Sequence, residues 1–273
     1  MVKIFTMVKD EVDIVKDWII YHGCLFGWNN VYVIDNYSTD GTYEVIKEFE
    51  SLGINIFRQP DYSKKGEYMT NLIRRFCKDD YLAFPIDIDE FIIYYEKGSN
   101  EVIFDKQFIL HYMQTIPIHS LYKANYLLPL LSDPNGSERA QATCDYASYL
   151  DYGSHAKSFI NARHFKGTID HGNHISSNNY FMTNIALIHF HYRNIEQNKK
   201  KTINNLLGLG YSLDLQNLKN IIIQNPNCNG SHHIHKYIKI LENNFTLDFT
   251  ENPDPNQNVS IKPFKKRIID GFF

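Results

Sequence analysis

Asp87 and Asp89, one residue apart and followed at once by Glu90, are the residues of this chain best suited to do chemistry. They close an apolar run, Tyr81 to Ile86, that reads as a buried strand, and a second apolar run, Phe91 to Tyr95, follows them. In an open α/β sheet, ligands bind beyond the carboxyl ends of the strands, so an acidic pair at this point faces a substrate. Alternation along a strand puts Asp87 and Asp89 on one face and turns Ile88 inward. Two converging carboxylates repel unless a cation lies between them, and hard divalent ions such as Mg²⁺ or Mn²⁺ take oxygen ligands. The pattern alone also fits a solvated strand end or a helix cap. Carboxylates set between apolar runs are costly without compensation, which favours a metal–diphosphate site.

A second constellation is His189-Phe190-His191-Tyr192-Arg193, at the end of the apolar run Ile185 to Ile188. His-x-His on a strand puts both imidazoles on one face, a spacing suited to a metal or a phosphate. The planar fork of Arg193 suits phosphate oxygens. Between the two blocks lies the polar loop Asp170-His171-Gly172-Asn173-His174, which reads equally well as a simple turn at Gly172. Lys199, Lys200 and Lys201 read as a solvated helix start, with phosphate contact the minority reading.

These residues need a scaffold, and the first third of the chain supplies one. Lys3 to Val8 reads as a strand, Asp13 to Leu25 as a helix closed by Gly27, and Val31 to Ile34 as a second strand. The loop Asp35 to Thr42 is rich in turn and cap residues. A helix over Tyr43 to Leu52, a strand over Ile54 to Phe57 and a helix over Gly66 to Cys77 lead to the acidic strand. Strands alternating with helices predict a largely parallel sheet with right-handed crossovers. Further on, short β-like runs (Leu121 to Leu131, Phe159-Ile160, Ile185 to His191) alternate with loops, including a turn at Asp133 to Ser137. Helices are expected near Lys201 to Leu207 and His235 to Glu242, a linker at Asn252 to Asn258, and a basic-apolar tail at Ile261 to Phe273.

The 273 residues, 43% hydrophobic and 22% charged, suit one large domain or one and a half with a full core. A formal net charge of −3 and a pI near 6.4 argue against general nucleic-acid binding. Aromatics are high at 14%, which suits sugar rings and cores alike. Cys24, Cys77, Cys144 and Cys228 have no CxxC spacing, so neither a zinc ribbon nor a disulfide framework is expected. The opening residues fit no secretory leader, and no apolar run approaches the ~18–20 residues needed to span a bilayer. A cytoplasmic location is expected, with membrane or partner contact by the tail left open.

The blocks taken together resemble glycosyltransferases of the GT-A fold, closest to the family-2-like group. The opening stretch of that group matches Lys9 to Trp18, with Asp10 for the usual Asn and Asp17 for the usual Glu. Its continuation matches Tyr21-His22, Gly27 and Val31 through Thr42, its acidic block matches Asp87 to Phe91, and its late His-Tyr block matches His191-Tyr192. The resemblance is strong over residues 1–95, thinner over 150–195 and absent after about 210. It implies a mostly parallel Rossmann-like sheet flanked by helices, with a smaller mixed region on the acceptor side. Residues 1–95 would form the nucleotide-sugar half, 96–200 the acceptor and catalytic half, and 201–273 a helical extension.

The resemblance also implies roles. Thr6, Val8, Glu11 and Asp35 would surround the base and ribose, although Lys9 and Glu11 fit a solvated loop equally well. Asp89 would be the direct metal ligand, Asp87 would face the ribose or the metal, His191 would be the third ligand with His189 in reserve, and Glu90 would stand behind them. Arg193 would clamp the diphosphate. Asp170 is the choice for the base that takes the acceptor proton, ahead of Asp145 and Asp151; His171 and His174 would contact acceptor or diphosphate, and Lys157 matches a lysine before this loop. The cofactor would be Mn²⁺ or Mg²⁺, the donor a UDP-sugar, and the acceptor a glycan, lipid-linked or protein-linked hydroxyl, with inversion by analogy. A haloacid-dehalogenase-type phosphatase is disfavoured by Phe91, which stands where that pattern has a small Thr or Val, and a nucleotidyltransferase by the absence of glycine from Phe5 to Glu11. The non-enzymatic alternative is a degenerate transferase-like domain that binds a glycan or a partner.

Overall fold

The computed structural model describes residues 1–77, 81–130, 140–191, 193, 195–242 and 258–270. The turn expected at Asp133 to Ser137, all of the 252–258 linker but Asn258, and Tyr192 of the His-Tyr step lie outside the described residues. Apolar, β-branched and aromatic runs form the first strands, β1 (Val2–Val8) and β2 (Val31–Asp35), with α1 (Val15–Phe26) between them. Gly27, at φ +90°, ends α1 and returns its N–H to Gly23 O. Then come α2 (Thr42–Glu48), β3 (Asn55–Arg58), α3 (Lys65–Phe76), β4 (Leu82–Pro85), β5 (Glu90–Glu96) and β6 (Glu101–Ile103). The order continues with α4 (Lys106–Thr115), β7 (Leu121–Pro129), α5 (Ala140–Thr143), β8 (Tyr146–Leu150), β9 (Lys157–Asn161) and β10 (Phe181–His189). Last are α6 (Ile195–Gly208), α7 (Leu215–Gln224), α8 (Ser231–Leu241), β11 (Asn258–Ser260) and α9 (Lys262–Asp270).

All described strands belong to one sheet, in the order β3-β2-β1-β4-β9-β7-β10-β5-β6, with β8 on β7 and β11 on β8. The expected α/β architecture is present: β3, β2, β1 and β4 are parallel, and the later strands are mixed, with β7 and β10 parallel and the others antiparallel. Because β9 opposes β4 and β7 opposes β9, strands β4, β7 and β10 point the same way. The carboxyl ends of β1, β2, β4 and β10 therefore share one edge with the starts of β5 and β9. The strand order reverses between β1 and β4, the switch point at which such sheets bind ligands.

Alternation along β1 feeds two cores. Val2, Ile4 and Val8 join Trp18 and Ile19 of α1 on one face of the sheet, while Phe5 and Met7 join Met69 and Ile73 of α3 on the other. Among the described strands the start of β5 pairs only with β10, since β6 reaches back along β5 only as far as Tyr94. Polar tips of α1 cover the open side: Trp18 Nε1 donates to Glu90 O (2.9 Å), Tyr21 OH to Ile92 O (2.5 Å), and Ile92 N to His22 Nε2 (3.4 Å). The tail is part of this core, because Phe264 of α9 is fully buried beside Tyr21, Phe91 and Phe190.

Candidate active site

At the shared edge lies a cleft of about 740 Å³, floored by Val8, Asp87, Ile88, Asp89 and His189. Glu11, His171, Gly172 and His174 form one side, and the face of α6 and the start of α8 form the other, with Lys201, Asn204, His232 and His233.

The acidic pair differs from its expected geometry. Strand β4 ends at Pro85, and Ile88 and Asp89 form a turn, so the two carboxylates go to different partners. Asp87 accepts from Lys65 Nζ (2.5 Å), Lys157 Nζ (2.9 Å) and Asn173 Nδ2 (2.9 Å). Burial opposes its charge, but the two ammonium groups hold it well below the usual carboxylate range. Glu90, fully buried, accepts the Asp87 N–H (2.8 Å) and lies 2.9 Å from Lys157 Nζ, so it fixes the turn. Asp89, 1% exposed, binds Lys201 Nζ at 2.5 Å, and its other oxygen lies 3.5 Å from His189 Nε2 without a hydrogen bond.

Asp89, His189 and His191 bring one ligand atom each within 4.8 Å of one another. Strand β5 sets His189 opposite Glu90, and Phe190 N donates to Asp89 O (2.8 Å), which places the histidine pair beside the acidic turn. Asp87 is not in this group: its position among two lysines and an amide turns it away, and His189 takes the place expected of it. One carboxylate with an unpartnered buried oxygen and two imidazoles form a donor set that fits a divalent ion. Imidazole nitrogens suit Mn²⁺ better than Mg²⁺, which prefers oxygen throughout.

The other expected residues divide. Val8 and Glu11 line the cleft. Thr6 is buried inside β1 and does not line it, with no hydrogen-bond partner for its hydroxyl among the described residues. Asp35 is buried at the end of β2, where it accepts from Arg58 Nε (2.9 Å) and from Ser38 N three residues on (3.1 Å), while the two-residue Asx contact of this loop is made by Asp40, which accepts the Thr42 N–H (3.0 Å). Arg193 is buried behind the cleft, paired through Nη2 with Glu11 and through Nε with Asp13 (3.1 Å), while its buried Nη1 has no hydrogen-bond partner among the described residues. Glu11 is accordingly no solvated loop residue, and burial raises its pKa against the pull of Arg193. Asp170 is exposed and does not itself line the cleft, although His171 and Gly172 beside it do; its Oδ1 accepts the His174 N–H (2.6 Å). Asp145 pairs with Lys265 and Asp151 with Lys97, and neither lines the cleft.

Sequence reasoning missed Lys65, His232 and His233, named Asn173 only as part of the polar loop, and read Lys201 chiefly as part of a solvated helix start. Lys201 stands within α6, and it reaches Asp89 instead of solvent. Its signal was helical spacing: Asn198, Lys201, Asn205 and Gly208 recur at intervals of three and four and form one face of α6. Asn173 sits at φ +59°, fully buried, a left-handed conformation that asparagine tolerates better than most residues.

No protein-family model matches the chain, and no curated protein matches its sequence. Among solved structures it is similar to S. aureus TarS 1-349, with 9% identity over 99% of this chain and 79% of that one and a TM-score of 0.40. It is also similar to the mannosyltransferase PcManGT from Pyrobaculum calidifontis in complex with GDP-Man and Mn²⁺ (12% identity, 45% of this chain and 34% of that chain, TM-score 0.34). A third is glucosyl-3-phosphoglycerate synthase from Mycobacterium tuberculosis in complex with Mg²⁺ and UDP (15% identity, 46% and 43%, TM-score 0.31). The chain thus spans less than half the length of the latter two. The likeness concerns the course of the chain alone. No helix among the described residues is long and apolar enough to cross a membrane.

Proposed function

We propose that this protein is a metal-dependent glycosyltransferase that moves a sugar from a nucleotide-diphosphate donor, a UDP-sugar first, to a hydroxyl acceptor with inversion. The observation that carries this reading is the convergence of Asp89, His189 and His191 in a cleft at the sheet's switch point, beside Lys65 and Lys201. The sequence blocks resembling family-2-like transferases support it, because their residues meet at this edge.

In this reading Asp89, His189 and His191 would hold a divalent ion, Mn²⁺ ahead of Mg²⁺, which would supply Lewis-acid charge to a bound diphosphate. Val8 and Glu11 face the nucleotide, and Asp35, braced by Arg58, bounds the base and ribose side with Thr6 behind it. Asp87, held by Lys65, Lys157 and Asn173, orients the ribose. Arg193 acts through Glu11, which it fixes at the cleft. Asp170 takes the acceptor proton; among the described residues its Oδ2 accepts no hydrogen bond, while Oδ1 shapes the loop that carries His171 and His174.

Calorimetric titration of UDP, GDP and their sugar conjugates, with Mn²⁺, with Mg²⁺ and with neither, tests this. Binding should require metal, favour Mn²⁺ over Mg²⁺ by at least tenfold, and vanish in Asp89→Asn. If no nucleotide binds with any metal, the degenerate-domain alternative replaces this reading.

A further inference from the structure

We propose that Lys201 is an exchangeable countercation: its ammonium neutralises Asp89 until a divalent ion binds, and is then released to an anionic group of the substrate in the cleft. This rests on the metal reading above and goes beyond it by giving a role to a residue outside the recognised blocks.

Asp89 is the carboxylate of the Asp89–His189–His191 cluster, and Lys201 Nζ lies 2.5 Å from its Oδ2. An ion in the cluster would put two cations on one buried carboxylate, where low dielectric makes their repulsion strong. One must yield, and Lys201 is built to do so. Its side chain is 23% exposed on a flexible stem, and among the described residues it makes its close contact with Asp89 alone. Lys65 and Lys157 are not: they are 5% and 3% exposed and bind Asp87, with Lys157 also on Glu90 and Gly172 O.

The cleft offers Lys201 a place to which to move. Lys201, Asn204, His232 and His233 line one wall of the cleft. Burial, together with the charges of Lys201 and its neighbours, pushes His233 down to about 3 and Lys236 down to about 8. His233 is thus neutral near pH 7, whereas Lys236 keeps most of its positive charge there, and the release of Lys201 adds a cation to the wall. A phosphate-type anion is the chemistry such a wall takes.

The test is Mn²⁺ alone, titrated into wild type, Lys201→Met, Lys201→Gln, Lys201→Arg and Asp89→Asn, by calorimetry and by loss of the free-ion paramagnetic resonance signal. Both neutral variants should bind Mn²⁺ at least tenfold more tightly than wild type, and Lys201→Arg no more tightly. Either neutral variant suffices if the other fails to fold by circular dichroism. Inorganic pyrophosphate should bind the Mn²⁺-loaded neutral variants at least tenfold more weakly than loaded wild type. Equal Mn²⁺ affinity in wild type and the neutral variants, with loss in Asp89→Asn, overturns the exchange and leaves the metal site standing. Absence of Mn²⁺ binding in every protein overturns both.

Discussion

Asp87 carries three side-chain contacts on two oxygens, and two of the donors are buried ammonium groups. Replacing it by asparagine leaves Lys65 and Lys157 without their shared counter-charge, and breaking a buried pair costs about 3 kcal/mol. Asp87→Asn should therefore lower the urea midpoint clearly while leaving Mn²⁺ titration close to wild type. Asp89→Asn should do the reverse, losing Mn²⁺ binding, because its carboxylate is the oxygen donor of the cluster. If Asp87→Asn also abolishes Mn²⁺ binding, the ion lies between the two acids as their spacing first suggests. Both acids and both histidines were legible because their spacing follows apolar runs. Their partners were not, since Lys65, Asn173 and Lys201 lie 22, 86 and 112 residues from the acids they bind. Lysine in a run of lysines looks solvated until the fold brings a carboxylate to it.

Gly66, in the first turn of α3, shows how one element positions the site. A Cβ there would stand 2.3 Å from Ile169 O and 2.9 Å from Asp170 C, so only glycine lets the helix lie directly on this loop. Thr70 completes the junction: its hydroxyl donates to Gly66 O (2.7 Å) and accepts the Ile169 N–H (3.0 Å). The same contact brings Lys65 and Asn173 to Asp87. Gly66→Ala should cost about 1–3 kcal/mol through overpacking against backbone. It should also loosen the 169–174 loop, seen as faster amide exchange at Ile169 and Asn173; unchanged exchange would show that the loop is held from β9 instead. Elements with long apolar runs or clear punctuation were legible, as β1, β2, β4, β5 and β10 show. β6 and β8 were not, because they are short and partly exposed, and neither were α4 and α7, where apolar residues face a half-buried surface. β4 ends at Pro85, one residue before the expected Ile86, and the turn at Ile88 and Asp89 breaks the alternation expected of the two acids.

For the molecule as a whole, the sheet is continuous from the parallel to the mixed half, and the side of β5 that β6 leaves unpaired is closed by side chains of α1. His22 helps to close it in a neutral form, with Nδ1 hydrogen-bonded to Trp18 O (3.0 Å) and Nε2 accepting from Ile92 N. Burial pushes its pKa down to about 3 against the pull of the Trp18 carbonyl, while the unfolded chain returns it to about 6.5. The unfolded state therefore binds the extra proton below pH 6.5. The stability that His22 contributes is present above that pH and is lost as pH falls toward 3, by about 1.4 kcal/mol per pH unit. His174, lowered to about 4 by burial first, acts in the same direction, whereas Glu11 and Glu90, whose pKa values burial raises, act in the opposite one. The comparison with His22→Gln isolates the one residue from these. Urea melts at pH 7, 6 and 5 should show wild type ahead of the variant at pH 7 and the gap narrowing steadily toward pH 5. A gap that stays constant would mean that the β5 edge opens to water and lets His22 titrate without unfolding the sheet.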